Sequence, residues 1–67
     1  MRVYETPDVI RRGQLLWLMA EVGGWPVRIA CRVFRPPPKD RFEVEILASE
    51  GELVAAHRSL LLAEKAD

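Results

Sequence analysis

Apolar and polar residues alternate with a period of two through most of residues 27–57. The odd positions of 27–34 and the even positions of 42–48 are apolar, and most of the intervening positions are polar or charged. Residues 52–57, which lie between two turn signals, are predicted as a third short strand. The period and the turn signals together predict three β-strands, each with one face turned to a core, joined as an antiparallel meander.

Two different turn signals separate these strands. Arg35 to Asp40 contains three consecutive prolines, which fix φ and remove three backbone donors, so we expect a stiff, exposed loop. Ser49-Glu50-Gly51 predicts a tight turn. Arg58-Ser59 ends the third strand before a last short element at 60–62.

The turns also predict a register. Pairing Val33 with Phe42 across the proline loop places Arg32 opposite Glu43 on the solvent face. Continuing through the second turn brings Arg58 to the other side of Glu43. Cross-strand opposite charges of this kind contribute about 0.2–1 kcal/mol each, so a row Arg32–Glu43–Arg58 is expected to stabilise the sheet.

The second turn leaves the parity of the third strand open. Pairing Ala48 with Leu53 turns Leu53 toward the core. A bulge at Gly51 reverses this parity and places Val54 and Ala56 inside instead.

The first 25 residues fit two structures. Thr6-Pro7-Asp8 has the composition of a helix start, and the apolar positions of 9–20 follow helical spacing. Gly13 in the interior costs such a helix about 1 kcal/mol, and the alternative is a strand over 14–22. The strand predicts a mostly β fold, a small antiparallel barrel of about five short strands. The helix predicts an α+β fold, with helix 7–22 packed on a three-stranded meander.

Composition limits the chain to one small domain, residues 1–67, with frayed ends at 1–6 and 63–67. Only about 60% of the surface is buried in a domain this small. The single cysteine excludes an internal disulfide, and one cysteine with one histidine cannot build a conventional zinc site. We therefore expect oligomerisation to help stabilise the fold.

The location and source of the protein are predicted from the same composition. No apolar run approaches the ~20 residues that span a bilayer and no signal sequence opens the chain, so a cytoplasmic, membrane-free location is expected. Eight arginines against two lysines, five prolines and no asparagine hint at a thermophilic source.

Charge is balanced overall but uneven along the chain. Residues 1–41 carry eight basic and four acidic groups, whereas residues 42–67 carry two basic and six acidic groups. The halves are therefore +4 and −4. We interpret the contrast as segments that face each other in the fold.

No catalytic motif, metal site or cofactor motif is present in the sequence. Cys31 lies on the apolar face of a predicted central strand, where a cysteine behaves as a small hydrophobe. His57 ends the third strand and is expected either to be partly buried or to bond to the backbone there. We therefore predict a protein that is not an enzyme and needs no cofactor, metal or small-molecule substrate.

The order of parts resembles SH3-like small β-barrels of the Tudor, PWWP and KOW types. The likeness rests on Gly13-Gln14-Leu15-Leu16-Trp17, then Trp25-Pro26, then a strand–glycine–strand hairpin, and finally His57-Arg58-Ser59-Leu60. It covers residues 12–64. In these barrels a glycine opens the first strand and a short helical turn with a leucine precedes the last, and in Tudor types an aromatic cluster binds a methylated cation. The resemblance implies a non-catalytic interaction module.

Two kinds of partner follow from these residues. The first is a protein, or a second copy of this chain, bound around Trp25 and Phe34. The second is RNA or DNA, with phosphates held by an arginine-rich face while an aromatic ring stacks on a base. The arginines proposed for this face are Arg28, Arg32, Arg35 and Arg41.

Overall fold

The computed structural model describes residues 3–35 and 41–65. The proline loop predicted at 36–40 therefore lies outside the described residues. The strands are β1 (Val3–Glu5), β2 (Leu15–Val22), β3 (Trp25–Arg35), β4 (Arg41–Ile46), β5 (Glu52–His57) and β6 (Leu61–Lys65). Short 3₁₀ turns at Leu47–Ser49 and Arg58–Leu60 precede β5 and β6.

The fold is mostly β, as the period-two pattern predicts. Six strands form one open antiparallel sheet in the order β1-β6-β2-β3-β4-β5, so the described residues contain one strand more than expected. The extra strand is β1, which pairs with β6 from Val3–Lys65 to Glu5–Ala63. The described parts of both termini, where fraying was expected, are therefore paired with each other.

The N-terminal segment is a strand, and the alternative of a helix over 7–22 is wrong. Leu16 and Leu18 face the core, with 4% and 7% of their surface exposed, whereas Leu15 on the other face is 61% exposed. The segment pairs with β3 over its whole length and with β6 at Trp17 and Leu18. These ladders outweigh local helical spacing because they satisfy the backbone and bury alternate side chains together.

One apolar face of the sheet forms the core. Its most enclosed side chains are Cys31, Val33, Val44 and Leu61, each at most 1% exposed. The remaining members are Ile10, Leu16, Leu18, Phe42, Ile46 and Ala56. The odd positions of β3 and the even positions of β4 supply this face, as their alternation predicts.

The predicted register between β3 and β4 is wrong by two residues. Val33 pairs with Val44 rather than Phe42, and Arg32 consequently pairs with Glu45. A bulge between Val33 and Arg35 interrupts the ladder. A shift of two residues keeps each side chain on its expected face, so the predicted core positions survive the error.

The register between β4 and β5 also differs from the first expectation. β4 ends at Ile46, and Leu47–Ser49 forms a 3₁₀ turn instead of extending the strand. Phe42 therefore pairs with Ala56 and Val44 with Val54. The alternative parity is confirmed, but a longer turn causes it rather than a bulge at Gly51.

The predicted charge row Arg32–Glu43–Arg58 does not form. Arg32 lies 4.0 Å from Glu45 instead. Arg58 lies in the second 3₁₀ turn and donates hydrogen bonds to the backbone carbonyls of Pro7 and Asp8. In the observed register the three side chains lie apart. The exposed Arg32–Glu45 pair that remains contributes at most about 1 kcal/mol to stability.

Candidate functional site

The ends of β2 and β3 extend beyond the rest of the sheet as a two-stranded arm. We define the arm as residues 19–22 and 25–28, which pair only with each other in the described sheet. Gly23 and Gly24 join them with φ of 58° and 85°. Two consecutive positive φ values are those of a type I′ turn, whose twist matches the flanking strands.

One face of the arm carries two large, exposed apolar side chains. Val22 and Trp25 form a direct cross-strand pair, and 64% and 75% of their surfaces are exposed. Ala20 and Val27 lie behind them on the same face, because side chains alternate along a strand. The face continues the core beyond the point where this chain covers it.

The second predicted aromatic, Phe34, lies at the opposite end of β3. Nine residues of extended strand separate it from Trp25, about 30 Å at ~3.3 Å per residue. The two side chains proposed for one protein-binding site are therefore not brought together. Phe34 is 37% exposed, and the guanidinium of Arg35 lies 5.7 Å from its ring centroid.

A shallow depression beside Phe34 is lined by basic side chains. Arg12, Arg32 and Phe34 line it together with Gly13, Val33 and Glu45. The loop before β2 lies against β3 because the backbone N–H of Gly13 donates a 2.8 Å hydrogen bond to the carbonyl of Val33. Within the part of the chain that the structure describes, Arg12 has no ion pair, whereas Arg32 has the weak contact with Glu45.

The four predicted nucleic-acid arginines are only partly grouped. Arg32 and Arg35 lie near Phe34, and Arg41 begins β4 two residues before Glu43, the partner of Arg35 in the ladder. Arg28 lies apart on the arm. Its guanidinium is 4.2 Å from the centroid of the Tyr4 ring and 5.8 Å from that of Trp17, so it interacts with aromatic rings of its own chain.

Two residues of these surfaces were missed by sequence reasoning. Val22 was placed at a strand end but not in a site, although a two-residue Gly-Gly hairpin makes it the direct neighbour of Trp25. Arg12 is not among the arginines that the sequence analysis assigns to the nucleic-acid face. Its meeting with Arg32 depends on the hydrogen bonds that join residues 13 and 14 to Val33, which no local pattern shows.

Cys31 lies in the core, as its place on the apolar face predicts. It has no exposed surface, and its Sγ lies 3.5 Å from the backbone carbonyl of Leu16 as a weak donor. Burial raises the pKa of the thiol above its ordinary value. The environment therefore disfavours the thiolate, which is the nucleophilic form.

His57 caps the second 3₁₀ turn and does not meet Cys31. Its Nδ1 lies 2.9 Å from the hydroxyl of Ser59 and accepts a 3.2 Å hydrogen bond from the backbone N–H of the same residue. The expected backbone bond at the strand end is thereby confirmed. Cys31 pairs with Ile46 and His57 with Arg41, at opposite ends of β4, so no nucleophile–base pair forms between them.

Metal-binding clusters and membrane-spanning helices are both absent from residues 3–35 and 41–65. These ranges contain no group of three or more His, Cys, Asp or Glu side chains placed to hold a metal ion. No described helix has the length and apolar character needed to cross a bilayer. No protein-family model, curated protein or solved structure matches this chain. The arm and the basic depression are therefore the two surfaces whose geometry points to a function.

Proposed function

We propose that this protein is a non-catalytic interaction module that binds a protein partner, or a second copy of itself, through the apolar face of the arm. The observation that carries the proposal is the cross-strand pair of Val22 and Trp25, both largely exposed. Tryptophan is enriched among the few residues that dominate binding energy at interfaces. We therefore place the Val22–Trp25 pair at the centre of the proposed interface.

The isolation of the arm supports the same proposal. Two-stranded ribbons are marginally stable in water unless a third strand or another surface covers them. At the base of the arm Ala20 and Val27 are half-buried, whereas at its tip Val22 and Trp25 have no such cover among the described residues. A partner that packs on Val22 and Trp25 would bury apolar surface worth about 1.5–3 kcal/mol for each fully covered side chain and would stabilise the ribbon.

The proposal is tested by sedimentation of the protein with and without the exposed tryptophan. If the arm mediates self-association, the wild type sediments as a dimer or larger species and Trp25→Ala shifts it toward the monomer. Phe34→Ala is the matched control, an exposed aromatic at the far end of the same strand, and is expected to leave association unchanged. A monomer at every concentration would remove self-association and leave only a different protein as partner.

A second candidate function is the binding of single-stranded nucleic acid at the basic depression. The observation that favours it is that Arg12 and Arg32 line the same depression as the exposed Phe34. The depression therefore combines cations that can bind phosphates with a ring on which a base can stack. The zero net charge of the chain counts against this function, since nucleic-acid-binding domains are usually strongly basic. Arg35, Arg41 and, at a distance, Arg28 complete the proposed arginine face.

The two functions are distinguished by testing the same variants for nucleic-acid binding and for protein association. Phe34→Ala and Arg12→Ala should weaken retention on an oligonucleotide column at ~50 mM salt, and retention should disappear by ~200 mM. Trp25→Ala should leave this retention unchanged while it weakens association with protein. Absence of retention at low salt would remove the nucleic-acid proposal.

The proposed module includes an SH3-like barrel in a cytoplasmic setting. Gly13, just before β2, and the 3₁₀ turn Arg58–Leu60, just before β6, support the resemblance to Tudor, PWWP and KOW domains. The single, buried, free Cys31 suits a reducing compartment. Closure of the sheet into a barrel by pairing of β1 with β5 would be supported by slow amide exchange of the outer N–H groups of both strands in a monomeric sample.

A further inference from the structure

The outer edge of β5 is an unused row of backbone hydrogen-bonding groups. β5 pairs with β4 through all six of its residues, from Glu52–Ile46 to His57–Arg41, and it ends the strand order. On its other side no backbone hydrogen bond to a described residue is present. Alternate N–H and C=O groups of such a strand point outward and can pair with another strand.

The other exposed strand edges carry features that discourage pairing. β1 is three residues long, and Glu5 lies 3.3 Å from Lys65 across its ladder. The β3 side of the arm contains Pro26, which lacks a donor, and the charged Arg28. Short length, proline and charge are the usual means by which proteins protect sheet edges.

β5 lacks all three of these protections. Its central residues, Leu53 to Ala56, contain no charge and no proline, and its ladder with β4 is regular. Leu53 is 45% exposed on the face away from the core. Of the sheet edges in the described ranges, this is the one on which an added strand meets least resistance.

We propose that β5 pairs antiparallel with β5 of a second copy of this chain, which joins the two sheets into one. A two-fold axis perpendicular to the sheet keeps the core faces of both copies on the same side, so the axis passes through Val54 or Ala55. The Val54 register places Leu53 against Ala55 of the other copy and Val54 against itself. No like charges meet in either register, and like charges directly opposite each other destabilise a pair of strands.

Charge also favours a second copy over an unrelated strand. Each β5 carries its one acidic residue, Glu52, at its first position, so antiparallel pairing of two copies keeps the two glutamates at opposite ends of the new ladder. The chain has ten basic and ten acidic residues, and a net charge near zero promotes association of identical molecules. The proposal concerns a surface separate from the arm and does not require the arm to bind.

The first test places a charge at or next to the proposed axis. A lysine at position 55 faces its own counterpart in the Ala55 register and Leu53 of the other copy in the Val54 register, and both arrangements disfavour the pair. Ala55→Lys should shift the protein from dimer to monomer in sedimentation equilibrium, with at least a tenfold weaker dimer. Ala30→Lys is the matched control, since Ala30 is also an exposed alanine but lies on β3, between β2 and β4 in the strand order, and it should leave the dimer intact. Circular dichroism checks that both variants remain folded. A monomeric wild type, or a dimer that Ala55→Lys does not weaken, would overturn the proposal.

The second test uses cysteine cross-linking and separates the edge from the arm. Directly opposed antiparallel residues have Cα atoms about 4.5–5.5 Å apart, within the range that a disulfide spans. Val54→Cys or Ala55→Cys should therefore form a disulfide-linked dimer under mild oxidation, whereas Ala30→Cys and the wild type with its buried Cys31 should not. Trp25→Ala added to the cross-linking variant should leave the cross-link in place. Cross-linking at neither position, or its loss with Trp25→Ala, would contradict edge pairing.

Discussion

The guanidinium of Arg58 donates a hydrogen bond to the backbone carbonyl of Pro7, 2.7 Å away. The two residues are 51 positions apart, so this contact fastens the N-terminal loop to the turn before β6. It also explains why the predicted pairing of Arg58 with Glu43 is absent, since the guanidinium is already used.

Removal of this side chain should destabilise the fold. Hydrogen bonds to charged groups contribute about 1.5–3 kcal/mol, so we expect Arg58→Ala to lower the free energy of unfolding by roughly that amount in urea denaturation. Arg41→Ala, which removes an exposed arginine at the start of β4, should change it by less than about 0.5 kcal/mol. Equal effects of the two substitutions would show that the loop is not held by Arg58.

The contact between Arg28 and Tyr4 should be measurable as a coupling. A cation–π pair at a partly exposed site contributes about 0.5–1 kcal/mol. We expect that coupling energy from a double-mutant cycle with Arg28→Ala and Tyr4→Leu. Tyr4→Phe keeps the ring and should retain most of the coupling. A coupling energy near zero would mean that β1 is positioned by its ladder with β6 alone.

The effect of a substitution in the arm turn on stability should depend on which glycine is replaced and by which residue. Neither Gly23 nor Gly24 has a neighbouring atom that an added Cβ would meet, so positive φ is the main cost. Gly24→Ala should destabilise the protein by about 1–2 kcal/mol. Gly23→Asn should be nearly neutral, because Asn-Gly is a favoured type I′ pair. Equal loss of stability for both variants, measured by chemical denaturation, would rule out this turn type.

Cys31 should give the stability a pH dependence in the alkaline range. Burial raises its pKa above the ordinary 9.0, so the folded state holds the thiol proton more tightly than the unfolded state. Its contribution is therefore complete below the unfolded-state pKa and is lost as pH rises through the folded-state pKa. We expect the free energy of unfolding to fall more steeply above about pH 9 in the wild type than in Cys31→Ala.

The same cysteine provides a kinetic check. A thiol reagent should react with Cys31 at a rate limited by unfolding, and fully only in denaturant. Parallel pH profiles for wild type and Cys31→Ala, or rapid labelling of the native protein, would contradict the buried, protonated thiol.

Much of the fold could be predicted from the residue pattern. The alternation in 27–34 and 42–46 identifies the buried residues of β3 and β4, because a strand can bury only every second side chain. The leucine-bearing turn before β6 follows from the resemblance to small barrels. The continuous apolar run of β2 was harder to interpret, since its two faces differ in burial only after β3 and β6 pair with it.

The candidate surfaces could be predicted only in part. Trp25 is a candidate from the sequence because it stands beside Gly-Gly and proline, which allows it either to pack across a barrel mouth or to serve a binding surface. The structure leaves it the most exposed of the large hydrophobic residues in the described ranges. Its predicted partner Phe34 lies at the far end of the same strand, whereas Val22 is its neighbour. The meeting of Arg12 with Arg32 depends on a loop that joins β3 by backbone hydrogen bonds, and such long-range contacts leave no local signal.

The sequence by itself determined the three strands of the meander, the buried faces of β3 and β4 and the buried state of Cys31. These properties follow from side-chain period and polarity, which act over a few residues. Only the tertiary structure decided the register, the partner of Arg58 and the unprotected edge of β5. Register depends on the number of residues that each turn absorbs, and here a bulge near Phe34 and a 3₁₀ turn at Leu47–Ser49 changed that number. The edges depend on which strands have no neighbour, and that is known only when all the pairings are made.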